Sequence, residues 1–168
     1  MQESLDALAG DFKAVFRDHP AAVTIITALT PEGPVGLTAS SVASVAVDPT
    51  AISFSVTRAT GTAGALLRAD ELQVHFLAPE HAAVATQFSF TGGERFAPGQ
   101  GWSVDADGAP RLAGARARLN ARILDTLSVG GSVLVVAQVT SLERDAAAGD
   151  ALLYADRQFF SRGDARAL

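Results

Sequence analysis

Arg58 is followed by Thr60 and Thr62 in "RATGTAGALLRA", which turns and then begins a helix with Thr60 or Thr62 as its N-cap. A helix N-terminus offers unpaired N–H groups and partial positive charge, which favour an anion such as phosphate. Arg58 would add a bidentate, charge-assisted contact, and the two threonine hydroxyls further hydrogen bonds. Two stretches with small side chains lie directly upstream. "GLTASSVASVAVDP" (36–49) alternates roughly, with one mostly apolar face and one small, hydroxyl-bearing face. "AISFSVT" (51–57) alternates cleanly, with Ile52, Phe54 and Val56 on one side and Ser53, Ser55 and Thr57 on the other. Small strands beside an anion-binding turn leave room for a flat ring held by backbone groups, which describes a phosphate-tailed aromatic cofactor. The same residues also suit a solvated hydroxyl face of an antiparallel sheet and an ordinary threonine N-cap. The residue pattern alone leaves both readings open.

Other chemistries find little support. The chain has no Cys, so disulfides and thiolate nucleophiles or ligands are excluded. His19, His75 and His81 are too far apart for metal-ligand spacing, and a metal-free protein is expected. His19 reads as a helix-end residue before Pro20 and His81, beside Glu80, as a surface residue of a helix. Arg116, Arg118 and Arg122 form a local basic stripe, to be paired with acids at the surface or to meet a dinucleotide phosphate or a partner. With a net charge of −5 and no run of Lys or Arg, a nucleic-acid footprint is absent. The apolar runs are too short and interrupted to cross a bilayer. The N-terminal "MQESLDALAGDFKAVF" has acids and no basic flank, unlike a secretory signal, so a cytoplasmic location is expected.

The elements that must position Arg58 and its neighbours follow from periodicity. "SLDALAGDFKAVFRDHP" places Leu5, Leu8, Phe12, Val15 and Phe16 at helical spacing up to Pro20. "AVTIITAL" (22–29) reads as a buried strand and "LQVHFLA" (72–78) as another, with Pro79 opening a helix over "PEHAAVATQF". "SFTGGERFAPGQGWSVDADGAP" is a long Gly- and Pro-rich loop, in which Phe96 and Trp102 serve either as groove cover or as loop anchor. "ARARLNARI" (115–123) alternates strictly, with Ala115, Ala117, Leu119, Ala121 and Ile123 inward and the arginines and Asn120 outward. "SVLVVAQVTSL" (132–142) is apolar enough to be buried on both faces, and "LLYADRQFF" (152–160) forms two short strands around Ala155-Asp156. The 168 residues, 48% hydrophobic, fit one domain, with strands outnumbering helices and no βαβ alternation. A closed or nearly closed antiparallel barrel with a few peripheral helices is the expected fold.

Taken in order, "VTIITA", "GLTASSVASVAVDPTAISFSVTRATGTAGAL", "LQVHFLA", "RFAPGQGW", "GAPRLAGARARLNARI" and "LLYADRQFF" resemble the flavin reductase-like family, the short-chain FMN-binding split-barrel proteins. The resemblance runs from about Phe12 to Phe160, with the small strand ending in Asp-Pro and the Arg-x-[ST]-x-T turn its most specific pieces. It implies a mainly β, Greek-key split barrel and an NAD(P)H-dependent flavin reductase that supplies reduced FMN, or FAD, to a partner monooxygenase. It also implies a homodimer with flavin at the interface. By position, Thr38, Ala39, Ser40, Ser41 and Val42 would border the isoalloxazine, Ser53 and Ser55 would lie beneath the ribityl chain, and Arg58, Thr60 and Thr62 would hold the phosphate. Hydride would pass from NADH or NADPH to flavin with no catalytic side chain. The family often has Gly-Asp-His where this chain has Gly130-Gly131-Ser132, and Asn at the position of His75. Ser132 and His75 are therefore candidates for the nicotinamide side, although a strand histidine tucked under a loop describes His75 better. The altered triplet suits an alternative, a flavin-binding carrier or redox sensor without turnover.

Overall fold

The computed structural model describes residues 2–164. Helix α1 (Gln2–Asp18) leads into a short strand β1 (Ala21–Ala22), then β2 (Thr24–Thr30) and β3 (Gly33–Ala39). Strands β4 (Ala43–Val47) and β5 (Thr50–Thr57) precede helix α2 (Gly61–Leu67) and strand β6 (Leu72–Phe76). Helix α3 (Ala82–Ser89) opens with a 3-10 turn at Pro79–His81. Strands β7 (Trp102–Val104), β8 (Pro110–Leu112), β9 (Ala117–Val129), β10 (Ser132–Arg144), β11 (Leu152–Ala155) and β12 (Gln158–Ser161) complete the order.

Seven strands form one antiparallel sheet in the order β3-β2-β6-β9-β10-β5-β4. Its concave face holds a cluster built on Ile26, Phe54, Leu66, Leu72, Val74 and Val135. Fully removing such side chains from water is worth roughly 1.5–3 kcal/mol each. The 36–49 stretch departs from its reading as one strand: it breaks at 40–42 into β3, which pairs with β2, and β4, which pairs with β5. At that corner Ser41 Oγ accepts a hydrogen bond from the Ser55 N–H at 2.9 Å and donates to the Ser55 carbonyl at 3.3 Å. The end of β3 thus meets β5 through a side chain rather than a continued ladder, and the seven strands do not close into a barrel by backbone pairing. Asp48-Pro49 is a cis peptide in the β4–β5 turn.

A second cluster, with Val23, Ile25, Leu77, Phe88 and Leu112, lies on the other side of the β2–β6 region. It is covered by α3, the β7–β8 ribbon and the β11–β12 hairpin, whose turn at Asp156-Arg157 has positive φ at both residues. This second layer corrects the expected outward arginine stripe. Arg118 is buried and ion-paired to Asp105, while Arg122 is exposed. The side-chain hydrogen bond from Arg118 holds the Asp105 carboxyl below the usual carboxylate range.

Strand β10 also departs from expectation. Val135 and Ala137 are buried, but Leu134 is exposed, so only one face packs within this chain. The apolar stripe of α1 is uncovered as well, with Leu5, Leu8, Phe12, Val15 and Phe16 all exposed. No helix among the described residues is long and apolar enough to cross a membrane.

Candidate functional site

The corner at residues 40–42, the end of β5 and the start of α2 converge on a groove of about 990 Å3. Half of its lining residues carry a hydroxyl, among them Thr38, Ser40, Ser55, Thr60, Thr62 and Ser132. Arg58 and Arg95 supply two guanidiniums, and no carboxylate lines the groove. In a chain of net charge −5 this local excess of positive charge selects for an anionic ligand. Apolar floor comes from Leu37, Val56 and Phe88.

Local structure explains the placement of each group. Small side chains at 38–41 keep the corner low. Thr38 Oγ1 turns away to donate to the Ala85 carbonyl at 2.6 Å, so what this segment presents to the groove is largely backbone. Arg58 adopts positive φ at the end of β5, and its N–H donates to the Gly131 carbonyl at 2.9 Å. That bond ties the cationic turn to the β9–β10 hairpin and brings Ser132 to the same groove. Thr60 is the N-cap of α2 by backbone geometry, yet its hydroxyl makes no cap bond and stays available to a ligand.

The structure brings together Thr38, Ala39, Ser40, Ser41, Ser55, Arg58, Thr60, Thr62 and Ser132. Val42 and Ser53 do not line this groove. Val42 lies past the corner in a separate cleft under β4, and Ser53 is half-buried between Ala43 and Val136 in the sheet.

His75 is fully buried on β6 and stands apart from Ser132 and the groove. Its Nδ1 lies 3.3 Å from the Ile25 carbonyl and its ring meets Trp102 edge-on at 5.3 Å, under the long loop. Burial pushes its pKa down to about 4. His81, expected at the surface, is buried too. Its Nδ1 accepts from the Ala78 N–H and its Nε2 lies 2.9 Å from the Ala113 carbonyl, so both ring nitrogens stitch backbone segments together.

Sequence reasoning overlooked Arg95. Phe96 and Trp102 anchor the long loop against Phe88, with ring centroids 4.9–5.2 Å apart, and this swings Arg95 over the groove. Its guanidinium donates to the Phe90 carbonyl at 2.7 Å, approaches Thr62 Oγ1 at 3.4 Å and sits 5.9 Å from the Phe88 ring. Its Nε is buried without a partner, a donor left over for a ligand. The only signal for it in the chain is one cation in an otherwise Gly-, Pro- and aromatic-rich loop.

A phosphate-tailed planar molecule fits this set: two guanidiniums and free hydroxyls for the tail, and backbone and apolar surface for the ring. Residues 16–163 match the flavin reductase like domain. The chain is 34% identical over 155 residues to an NADH:FMN oxidoreductase of Rhodococcus qingshengii, covering 90% of this chain and 81% of that protein. A flavin reductase domain protein from Arthrobacter sp. FB24 superposes with a TM-score of 0.82 at 30% identity, over 91% of this chain and 94% of the other. BorF, the flavin reductase component of a bacterial two-component tryptophan halogenase, superposes with a TM-score of 0.80 at 28% identity, over 91% and 97%.

Proposed function

The chain belongs to the flavin reductase-like family, and from that membership we propose that it is an NADH-dependent flavin reductase that binds FMN in the groove carrying Arg58 and Arg95. The observation that carries this reading is the acid-free, hydroxyl-rich groove lined by two guanidiniums. Arg58, Thr60, Thr62 and Arg95 hold the phosphate; Thr38, Ala39, Ser40 and Ser41 border the ring; Ser55 lies beneath the chain that joins them. Held by these residues, FMN would supply the two-electron acceptor for a hydride from NADH.

The chain's own contribution is binding and orientation. Anchoring the tail at the Arg58 turn, beside which Ser132 pairs with Thr57, would fix where the ring lies in the groove and leave one face open to the nicotinamide. Converting the encounter into a preoriented one lowers the barrier without a protein nucleophile. Phe88, Leu37 and Val56 keep water from the buried side of the ring. Reduced flavin then leaves for a separate oxygenase, as the relation to a two-component reductase suggests. A cytoplasmic location, where NADH is available, goes with this reading.

The functional unit is a homodimer with the groove at its interface. The hairpin that carries Ser132 exposes Leu127, Val129 and Leu134 beside the groove, and a second copy covering them would also wall in the flavin. Steady-state oxidation of NADH and NADPH with FMN and FAD tests the proposal. NADH oxidation that rises with added FMN is expected, and a protein that binds FMN without oxidising either nicotinamide would instead be a flavin carrier or redox sensor. That second reading is favoured only by Gly130-Gly131-Ser132, which offers a hydroxyl where an imidazole is usual in the family.

A further inference from the structure

Among the described residues, two apolar surfaces away from the groove lack a cover, and their charges are opposite. The first is α1, about 25 Å long at 1.5 Å per residue. Its stripe of Leu5, Leu8, Phe12, Val15 and Phe16 belongs to neither core cluster. Along one edge of that stripe stand Asp11 and Asp18, two turns apart, and neither forms an ion pair among the described residues.

The second surface is a cleft of about 560 Å3 between β4 and the paired ends of β9 and β10. Val42, Ala46, Phe76, Val139 and Leu142 line it, and Val47, 89% exposed, stands on its rim. Arg116, immediately before β9, and Arg144, at the end of β10, supply its only charges. Arg116 donates to the Gly149 carbonyl, and neither arginine meets a carboxylate among the described residues.

We propose that α1 is exchanged between two copies of this chain, its apolar stripe seated in the other copy's β4–β9–β10 cleft with Asp11 and Asp18 facing Arg116 and Arg144. The helix cannot simply fold back. Its last turn is tied to the β11–β12 turn by the Asp156 N–H donating to the Arg17 carbonyl at 2.7 Å and by the Arg17–Asp156 ion pair at 3.3 Å. With that root fixed, the stripe faces away from its own core. A second copy supplies both the acidic helix and the basic cleft in one symmetric operation, so a single contact, made twice, covers both surfaces. The proposal rests on the homodimer named above and not on the flavin chemistry.

The absence of cysteine makes the test clean. Leu8→Cys and Val47→Cys are made in separate full-length chains of different tag length, mixed and oxidised. A covalent heterodimer is expected, and none should form when either variant is mixed with the unsubstituted chain. In parallel, Arg116→Glu with Arg144→Glu should weaken dimerisation by about tenfold or more, measured by light scattering on dilution. Adding Asp11→Arg and Asp18→Arg should restore it. All four positions are outside the core clusters, and an unchanged circular dichroism spectrum separates loss of association from loss of fold. A dimer that neither cross-links nor responds to the charge reversals would overturn the exchanged helix while leaving the homodimer standing. A monomer at all concentrations would overturn both. FMN titration and NADH oxidation, run separately, report on the reductase reading alone.

Discussion

Arg58 and Arg95 reach the groove from different segments, the end of β5 and the long loop, so each can be removed without the other. Arg58→Ala should weaken FMN binding by about 1–3 kcal/mol, the scale of a lost charge-assisted hydrogen bond. Titration of FMN into both proteins checks it, and equal affinities would take Arg58 out of the site. Arg95→Ala should cost a similar amount, because its two anchored nitrogens hold it in place and its Nε is left without a partner. The informative comparison is riboflavin, which lacks the phosphate. If both arginines grip the tail, neither substitution changes riboflavin affinity.

His75 titrates on a different scale, that of stability. Its pKa is about 4 in the folded chain against 6.5 for an exposed histidine, so the unfolded chain binds the extra proton first as pH falls. Its contribution is complete above pH 6.5, declines between 6.5 and 4, and is constant below 4. The loss amounts to about 3 kcal/mol at 1.36 kcal/mol per pH unit. Asp105 and Glu143, held low by hydrogen bonds from Arg118 and Arg111, lose theirs only in more acid solution. Urea unfolding at pH 7 and pH 5, with His75→Gln as the control, checks the window; equal slopes in both proteins would contradict it.

Among the elements, β3 is the one on which the groove depends. Gly36 sits where an added Cβ would lie 2.8 Å from Phe88 Cε1 and 3.0 Å from Thr27 Cγ2. Phe88 cannot retreat, since Phe96 and Trp102 pack against it. Gly36→Ala should therefore destabilise the fold by about 1–3 kcal/mol, as overpacking does, and displace the groove floor. Denaturant unfolding together with FMN titration reads both effects. The two-residue-period pattern of 51–57 foretold the faces of β5 because a strand buried on one side must alternate. The same pattern misled over 36–49: Ala and Ser fit either face, so a register break costs no hydrophobic burial and leaves no trace. That break is the corner, and there Ser41 bridges to the backbone of Ser55 on β5.

For the whole molecule, the exposed stripe of α1, the exposed Leu134 of β10 and the hairpin residues Leu127 and Val129 are the apolar surface that the proposed homodimer would cover. Folding linked to association makes the midpoint of thermal unfolding rise with protein concentration, and a ligand held at the interface raises it further. A tenfold concentration series with and without FMN should show both shifts. A midpoint independent of concentration would mean that the single copy is the folded unit. The expectation that residues 132–142 are buried on two faces holds for one face only: Val135 and Ala137 are buried, whereas Leu134 is exposed.

Periodicity, turn residues and the ordered motifs determined the strand-rich fold, the cationic turn at Arg58 and the small-residue wall, because these are local consequences of side-chain size, charge and spacing. Only the tertiary structure decided that Val42 and Ser53 fall outside the groove, that His75 is interior and that Arg95 lines the groove. Each of those outcomes depends on where a corner or a loop brings residues far apart in the chain. An alternating pattern records which face a residue takes, but not which distant segment will come to lie across it.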